Sequence, residues 1–440
     1  MTQVSTLSRN ETTGEGLRKD AVHRPQPVRS FMRHIPELDG VRGLACVLVL
    51  LVHMPIPAVP SGSRLEFILA PRLLGVTGLD LFLVLSGFLI GGVLLDTRES
   101  TNYFRVFYAR RVFRIMPMYG LLLLVVWLGT RLSPELWVGQ ATPFNSVAAH
   151  EPFQPLPWLS YLLYVQNFAM AIKQSWGLAP LSVTWSLAVE EQFYLTLPLM
   201  IRFLPRRVLL RVLLAGIVTA PILRAVSDQL FPNNYFAWYT LLPTRIDGLF
   251  LGVLVAILVR EPHYREVIIA GRQVLAKHWA LLLLALVGAV AGLAFMVLQA
   301  QHTNIGFLVV SAFFSAIAIL WALLLLNTIL HPSGWLAACL RWRWLGALGT
   351  VSYSVYLSHT IFILLFFHRS QPIMHSVRDL GSLLATVASV TVFSALSWRF
   401  YEKPLLRFGY RWQYRSATNA SASVPVLLPD TPIARIKETA

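Results

Sequence analysis

The chain has 440 residues, 56% of them hydrophobic and 13% charged, with a mean hydropathy of +0.60. Soluble domains carry about 25% charged residues, so a soluble globular fold is excluded. A net charge of +16 raises nucleic-acid binding, but the basic residues are distributed in a way that gives their charge another meaning.

Residues 1–35 are polar and lack the apolar core of a cleaved signal peptide. They read as a flexible cytoplasmic N-terminal tail, and 406–440 reads as a second, C-terminal tail. Between them lie ten apolar stretches, near 41–57, 74–95, 115–130, 183–201, 208–226, 236–258, 279–299, 307–329, 344–367 and 380–400. A helix of about 20 such residues crosses a hydrocarbon core of about 30 Å. The predicted fold is therefore all-α, a polytopic membrane bundle of about ten transmembrane helices over residues 36–405. The aromatic stretch "PWLSYLLYVQNFAM" at 157–170 is too short and broken for a span. It is expected in the interface or dipping into the protein.

With the N-terminus inside, 27 of the 37 Lys and Arg residues fall on the cytoplasmic side and seven outside. Arg42, Arg245 and Arg399 remain at or within spans. This is the positive-inside bias of a membrane protein. It predicts that both termini are cytoplasmic, and it accounts for the basic charge without nucleic acid. The longest external connection, about 131–182, is rich in Pro and aromatics and is expected to pack over the bundle. Cys46 and Cys339 are too few for a disulfide framework or a zinc site.

Polar residues inside spans are costly and are functional candidates. In "DGVRGLACVLVLLVHM", residues 39–54, Arg42 and His53 are eleven residues apart. On a helix that is about 1100° of rotation and about 16 Å of rise, so both lie on one face at different depths. Gly40, Gly43 and Ala45 permit close helix contact there. Arg42 also reads as an inside anchor, and His53 as a structural hydrogen-bonding residue. In "YARRVFRIMPMY", 108–119, Arg111 and Arg114 share a face beside Arg110. They read either as a topology stop or as a phosphate clamp.

Glu190 and Glu191 in "SVTWSLAVEEQFYLTLP" point about 100° apart. Glu190 is expected at a depth similar to His53, where a carboxylate can fix an imidazole tautomer. In "YTLLPTRIDGLFLG", Arg245 and Asp247 place opposite charges beside a break at Pro243. An ion pair holding the bundle is one reading of them. His359, Tyr353 and Tyr356 are expected to line an outer cavity. Glu402 and Lys403 in "WRFYEKP" read as structural. No metal-spaced His pair, nucleotide-binding glycine loop or nucleophile elbow is found.

The block "PELDGVRGLACVLVLLVHM" resembles the opening of the membrane-bound acyltransferase type 3 family, bacterial O-acyltransferases acting on cell-surface glycans and related sugars. Further blocks resemble it in order: "DLFLVLSGFLI" at 80–90, "RRVFRIMPMY" at 110–119, "WSLAVEEQFYLTLP" at 185–198, "SYSVYLSHTIF" at 352–362 and "YEKP" at 401–404. The resemblance covers about 35–405. It implies a multi-pass protein of the bacterial cytoplasmic (inner) membrane that transfers an acyl group, by default acetyl from acetyl-CoA as co-substrate, to a sugar hydroxyl of a glycan or lipid-linked acceptor.

The resemblance implies catalytic roles for His53, Glu190, Arg42 and Asp247, with His53 as general base or acyl carrier. Arg111 and Arg114, with Arg42, are implied for donor binding, and Asp39 for orienting Arg42. No resident cofactor, metal or nucleic acid is implied. Some members append an esterase-like domain, for which no loop or tail here has room. Membrane lipid and polysaccharide-assembly proteins are the partners expected. A transporter or flippase for an acyl group or glycolipid also suits buried charge, but no two-fold repeat with interrupted spans is seen. A scaffold in a polysaccharide-assembly complex is a third reading.

Overall fold

The computed structural model describes residues 35–57, 70–137, 155–232, 234–261, 304–368 and 373–415, with helical positions 271, 278, 281, 284 and 288. The long helices are α1 (Pro36–His53), α2 (Gly78–Asp96), α3 (Tyr103–Leu132), α4 (Trp185–Phe203), α5 (Arg206–Leu230), α6 (Leu242–Arg260), α7 (Asn304–Leu330), α8 (Arg343–Phe367) and α9 (Val377–Ser397). A short α10 (Lys403–Gly409) precedes the last described residues, 410–415. A two-residue parallel pair, β1 (Ile56–Pro57) with β2 (Ile373–Met374), ties the exit of α1 to the entry of α9.

Among the described residues, seven helical stretches are long and apolar enough to cross a membrane: Leu74–Asp96, Tyr103–Leu132, Arg206–Leu230, Tyr235–Arg260, Ser311–Leu330, Arg343–Phe367 and Val377–Gly409. The chain is a polytopic membrane helical bundle. Two further expected spans, α1 and α4, form helices of 18 and 19 residues. Charges interrupt their apolar runs: Glu37, Asp39 and Arg42 in α1, and Glu190, Glu191 and Arg202 in α4. The expected span at 279–299 lies, apart from three positions, outside the described residues.

Local sequence explains the helix ends. Proline in the first turn of α1 needs no N–H partner, and Glu37 and Asp39 there complement the positive end of the helix. Ser376 and Asp379 form a capping box that starts α9. The third span was expected at 115–130, yet α3 has 30 residues. At 1.5 Å per residue it is about 45 Å long, well beyond the hydrocarbon thickness. Its first four turns therefore carry Arg105, Arg110, Arg111 and Arg114 as a continuous extension of the span.

The most extensive packing is α2 on α6, followed by α1 on α8. The second contact depends on glycine. A Cβ on Gly349 of α8 would lie 1.9 Å from the Asp39 carbonyl, and one on Gly43 would lie 2.0 Å from the Leu345 carbonyl. Backbones can approach this closely only without side chains between them, as the small residues of α1 predict. The stretch at 157–170 forms two short helices, Trp158–Leu162 and Gln166–Lys173. Tyr161, Gln166 and Asn167 are buried, so it dips into the protein. Residues 406–415, expected as the start of a tail, pack on α3. Gly409 sits against Phe113, and Arg110 donates to the Trp412 carbonyl.

Candidate active site

Helix α1 presents Arg42 and His53 at its two ends. Arg42 Nη1 donates to Asp39 Oδ1 at 2.9 Å, one turn back. This bond fixes the guanidinium, as expected of Asp39. Arg42 retains 20% side-chain exposure, so it is held without being sealed.

His53 Nδ1 lies 2.8 Å from the Val49 carbonyl. A carbonyl can only accept, so Nδ1 carries the proton and Nε2 keeps its lone pair. Val49, rather than Glu190, thus sets the tautomer. The neighbour of His53 is His359 of α8, edge to face with ring centroids 5.0 Å apart. His359 Nδ1 is 3.2 Å from the Val355 carbonyl, so it has the same tautomer. Its Nε2 is buried and has no hydrogen-bond partner among the described residues. Tyr356 extends the cluster, 5.9 Å from His359. Its hydroxyl meets Ser186 Oγ at 2.6 Å and donates to the Val183 carbonyl at 2.7 Å. Tyr353 instead donates to the Ile115 carbonyl at 2.9 Å.

Glu190 faces the arginines. Its Oε2 accepts from the Tyr194 hydroxyl at 2.9 Å, and that hydroxyl meets Ser86 Oγ at 2.7 Å. Arg111, Arg114 and Arg42 all lie within Coulombic reach of Glu190. Arg111 also stands 5.8 Å over the Tyr194 ring. The cause is helical phase. Arg111 and Arg114 share a face of α3 that looks onto α4 and α1, whereas Arg110 turns to the C-terminal segment. Arg114 also acts on Glu402, which accepts from Ser397 Oγ at 2.9 Å. Neither Arg111 nor Arg114 closes an ion pair with a described residue. Two arginines that close no ion pair with a described residue, beside the Asp39-held Arg42, offer bidentate donors to a phosphorylated ligand.

Asp247 lies in a different constellation. Arg245 and Asp247, two residues apart on α6, point to opposite sides and do not pair with each other. Asp247 Oδ2 takes bonds from Arg224 Nη2 at 2.9 Å and Ser315 Oγ at 2.6 Å. Arg224 also donates to the Ser311 carbonyl at 2.9 Å and to the Thr244 carbonyl. Arg245 Nη2 lies 3.0 Å from Asp80 Oδ1, off hydrogen-bonding geometry, with the Phe314 ring 4.5 Å from its guanidinium carbon. Arg224 is fully buried. Sequence reasoning gave no role to Asp80 or Arg224. The signal for Asp80 was present: a lone carboxylate in an apolar run.

The residues that resemblance grouped thus divide. Arg42, Arg111, Arg114 and Glu190 come together, His53 joins His359 at the other end of α1, and Asp247 goes elsewhere. Comparison with known proteins adds the chemistry. The acyltransferase domain family matches residues 35–402. The O-acetyltransferase OatA of Staphylococcus aureus is 25% identical over 395 residues, covering 86% of this chain and 58% of the relative. The peptidoglycan O-acetyltransferase OatA of Listeria monocytogenes is 27% identical over 393 residues, covering 87% and 57%. The chain thus spans less than three-fifths of the length of these relatives. No solved structure matches it significantly. The chain belongs to the acyltransferase domain family.

Proposed function

We propose that this protein is an O-acyltransferase that takes an acyl group, acetyl from acetyl-CoA in the simplest case, and delivers it to a sugar hydroxyl of a cell-surface glycan or glycolipid. The observation that carries the reading is the polarity of α1. One end gathers Arg42, Arg111, Arg114 and Glu190, and the other presents a histidine whose Nε2 is free to act as a base. The eleven-residue interval makes that gap about 16 Å, a distance the extended arm of a coenzyme A thioester spans.

In this reading the phosphates of the donor meet Arg111, Arg114 and Arg42, and the thioester reaches His53. His53 Nε2 accepts the proton of the acceptor hydroxyl as its oxygen attacks the thioester carbonyl. The C–O ester bond forms, the C–S bond breaks, and the thiolate leaves with a proton. The Val49 carbonyl and the neighbouring His359 hold the imidazole. Tyr194 and Ser86 hold Glu190 against the arginines. In the covalent variant, His53 Nε2 attacks the thioester and then passes the acyl group to the hydroxyl. Asp247, with Arg224, serves in this reading to hold α5, α6 and α7 in register around the site.

The reading includes ten spans with cytoplasmic termini, donor entry from the arginine end and acceptor entry beside His53, in a bacterial inner membrane. Because the Listeria relative is a peptidoglycan O-acetyltransferase, peptidoglycan is the first glycan to test. The experiment is transfer of labelled acetyl from acetyl-CoA to a glycan panel by purified protein in detergent. Transfer without a sealed membrane is expected, which a transporter or flippase would not give. Full-rate transfer by H53A would overturn the assignment of His53. Acid quench followed by mass spectrometry separates the two routes, since only the covalent one leaves an acyl group on His53.

A further inference from the structure

The described surface holds a cleft outside the site just built. It has a volume of about 260 Å³ and lies between the start of α3 and the segment after α10, lined by Asn102, Arg105, Arg411, Trp412, Gln413 and Arg415. We infer that this cleft is a nucleotide subsite that takes the 3′-phosphorylated adenosine head of coenzyme A. The inference rests on the acyl-CoA reading above and adds to it a place for the far end of the donor.

Charge is the first support. Three of the six lining residues are arginines and none is acidic. None of the three closes an ion pair with a described residue, and all three are exposed. Uncompensated guanidinium groups around a concave surface select a phosphate, which they bind in bidentate fashion.

Shape is the second. The Arg105 guanidinium stands 4.6 Å over the Trp412 ring. A planar cation on an indole makes a flat, polarizable wall of the kind on which a purine stacks. Ligand pockets for whole drug-sized molecules occupy about 300–1,000 Å³. The cleft is smaller, which suits a nucleoside head whose long arm continues elsewhere.

Preorganisation is the third. Asn102 Nδ2 donates to the Gln413 carbonyl at 2.8 Å, and Asn102 Oδ1 accepts from the Arg415 N–H at 3.0 Å. Thr101 N–H donates to the Arg415 carbonyl at 3.1 Å. Arg110 Nε and Nη2 donate to the Trp412 carbonyl at 3.0 and 2.7 Å. The segment is thereby clamped along α3 before any ligand arrives.

Continuity with the active site is the fourth. Arg105 precedes Arg111 and Arg114 by six and nine residues, about 9 and 14 Å along α3. Tyr410, next to Arg411, lies within Coulombic reach of Arg42. The cleft, the Arg111–Arg114 pair and His53 thus form successive stations. Coenzyme A carries its anionic groups in two places, a 3′-phosphate on the ribose and a pyrophosphate where the arm begins. Two separate arginine groups at this spacing match two separate anionic groups.

An anionic lipid headgroup offers the same phosphate chemistry, so the test separates the two sources. Binding of CoA and of 3′-dephospho-CoA to the full-length protein is measured by calorimetry in nanodiscs of phosphatidylcholine, and again with anionic lipid included. The wild type is expected to prefer CoA by about tenfold or more. R411Q/R415Q should bring CoA affinity down to that of dephospho-CoA and leave dephospho-CoA unchanged. R105Q should do so in part, and serves as a second variant distant in sequence.

Equal binding of the two ligands by the wild type would overturn the inference. So would a loss in the variants that is the same for both ligands. A CoA preference that disappears only when anionic lipid is present would show lipid competing for the same cleft and would support it. Parallel transfer assays keep the two claims apart. Arginine-dependent CoA binding without acyl transfer sinks the acyltransferase reading and keeps the nucleotide subsite. Transfer from acetyl-CoA and acetyl-dephospho-CoA with equal KM does the reverse.

Discussion

Two constellations of buried charge sit in one bundle, and they differ in how they are closed. The Arg224–Asp247 and Arg245–Asp80 pairs set each cation against its own carboxylate. Their side chains are 0%, 5%, 1% and 5% exposed. Around Arg42 and Asp39 the exposures are 20% and 23%, and Arg111 and Arg114 share the field of Glu190 without a paired carboxylate. The first pattern is that of a lock, since a buried charge is tolerated only with a partner. The second leaves cations available, as a site for an anionic ligand must.

The strongest way to sharpen that contrast is at His53. Loss of a general base typically costs 10²- to 10⁴-fold in rate. H53A is expected to reduce acetyl transfer by about that factor while leaving the melting temperature of the detergent-solubilised protein nearly unchanged. A fall in stability comparable to that of the lock variants would move His53 into the structural class.

The lock should respond in the opposite way. Removing one partner of a buried pair leaves the other charge uncompensated and costs about 3–5 kcal/mol. D247N and R224M are each expected to lower thermal stability strongly. The double replacement R224M/D247L removes both charges and should recover most of the loss. Acyl transfer should return with stability, because Asp247 acts in this reading by holding helices. A double variant that is stable and inactive would place Asp247 back among the reacting groups.

The arginines that face Glu190 give the next effect. Charge-assisted hydrogen bonds contribute about 1.5–3 kcal/mol, so R111Q and R114Q should each raise KM for acetyl-CoA by roughly ten- to a hundredfold. Steady-state kinetics should show kcat changing much less than KM. Unchanged KM would return both residues to the role of topology signals.

What could be read from the sequence follows from this geometry. Arg42 and His53 were legible because both lie on one helix, where phase and rise are arithmetic. Arg111 with Arg114 was legible for the same reason. The join between them was not, since it depends on how α1, α3 and α4 are placed around Glu190. Nor was His359 as the neighbour of His53, because 306 residues separate them and only the close α1–α8 crossing at Gly43 and Gly349 brings the rings together. Arg245 and Asp247 looked like one pair in sequence. Their two-residue spacing sends them to opposite sides, where Asp80 and Arg224 wait on other helices. Helix α3 was read as a short span because its arginines ended the apolar run, whereas the helix continues through them.

The smallest expected effect tests whether Tyr356 belongs to the site or to its wall. Its hydroxyl is engaged with Ser186 Oγ and the Val183 carbonyl, and its ring is 5.9 Å from that of His359. Y356F keeps the ring and removes the hydroxyl. A net hydrogen bond is worth about 0.5–1.5 kcal/mol, so stability should fall by about that amount and transfer by less than tenfold. The Ser186 hydroxyl has a second acceptor, the Val183 carbonyl at 3.2 Å, so its donor is not stranded by the change. A wall residue should leave the pH profile of kcat in place even as stability drops. A shift of that profile in Y356F would mean that the hydroxyl acts on the His53–His359 pair, and would extend the open site one turn further along α8 toward the start of α4.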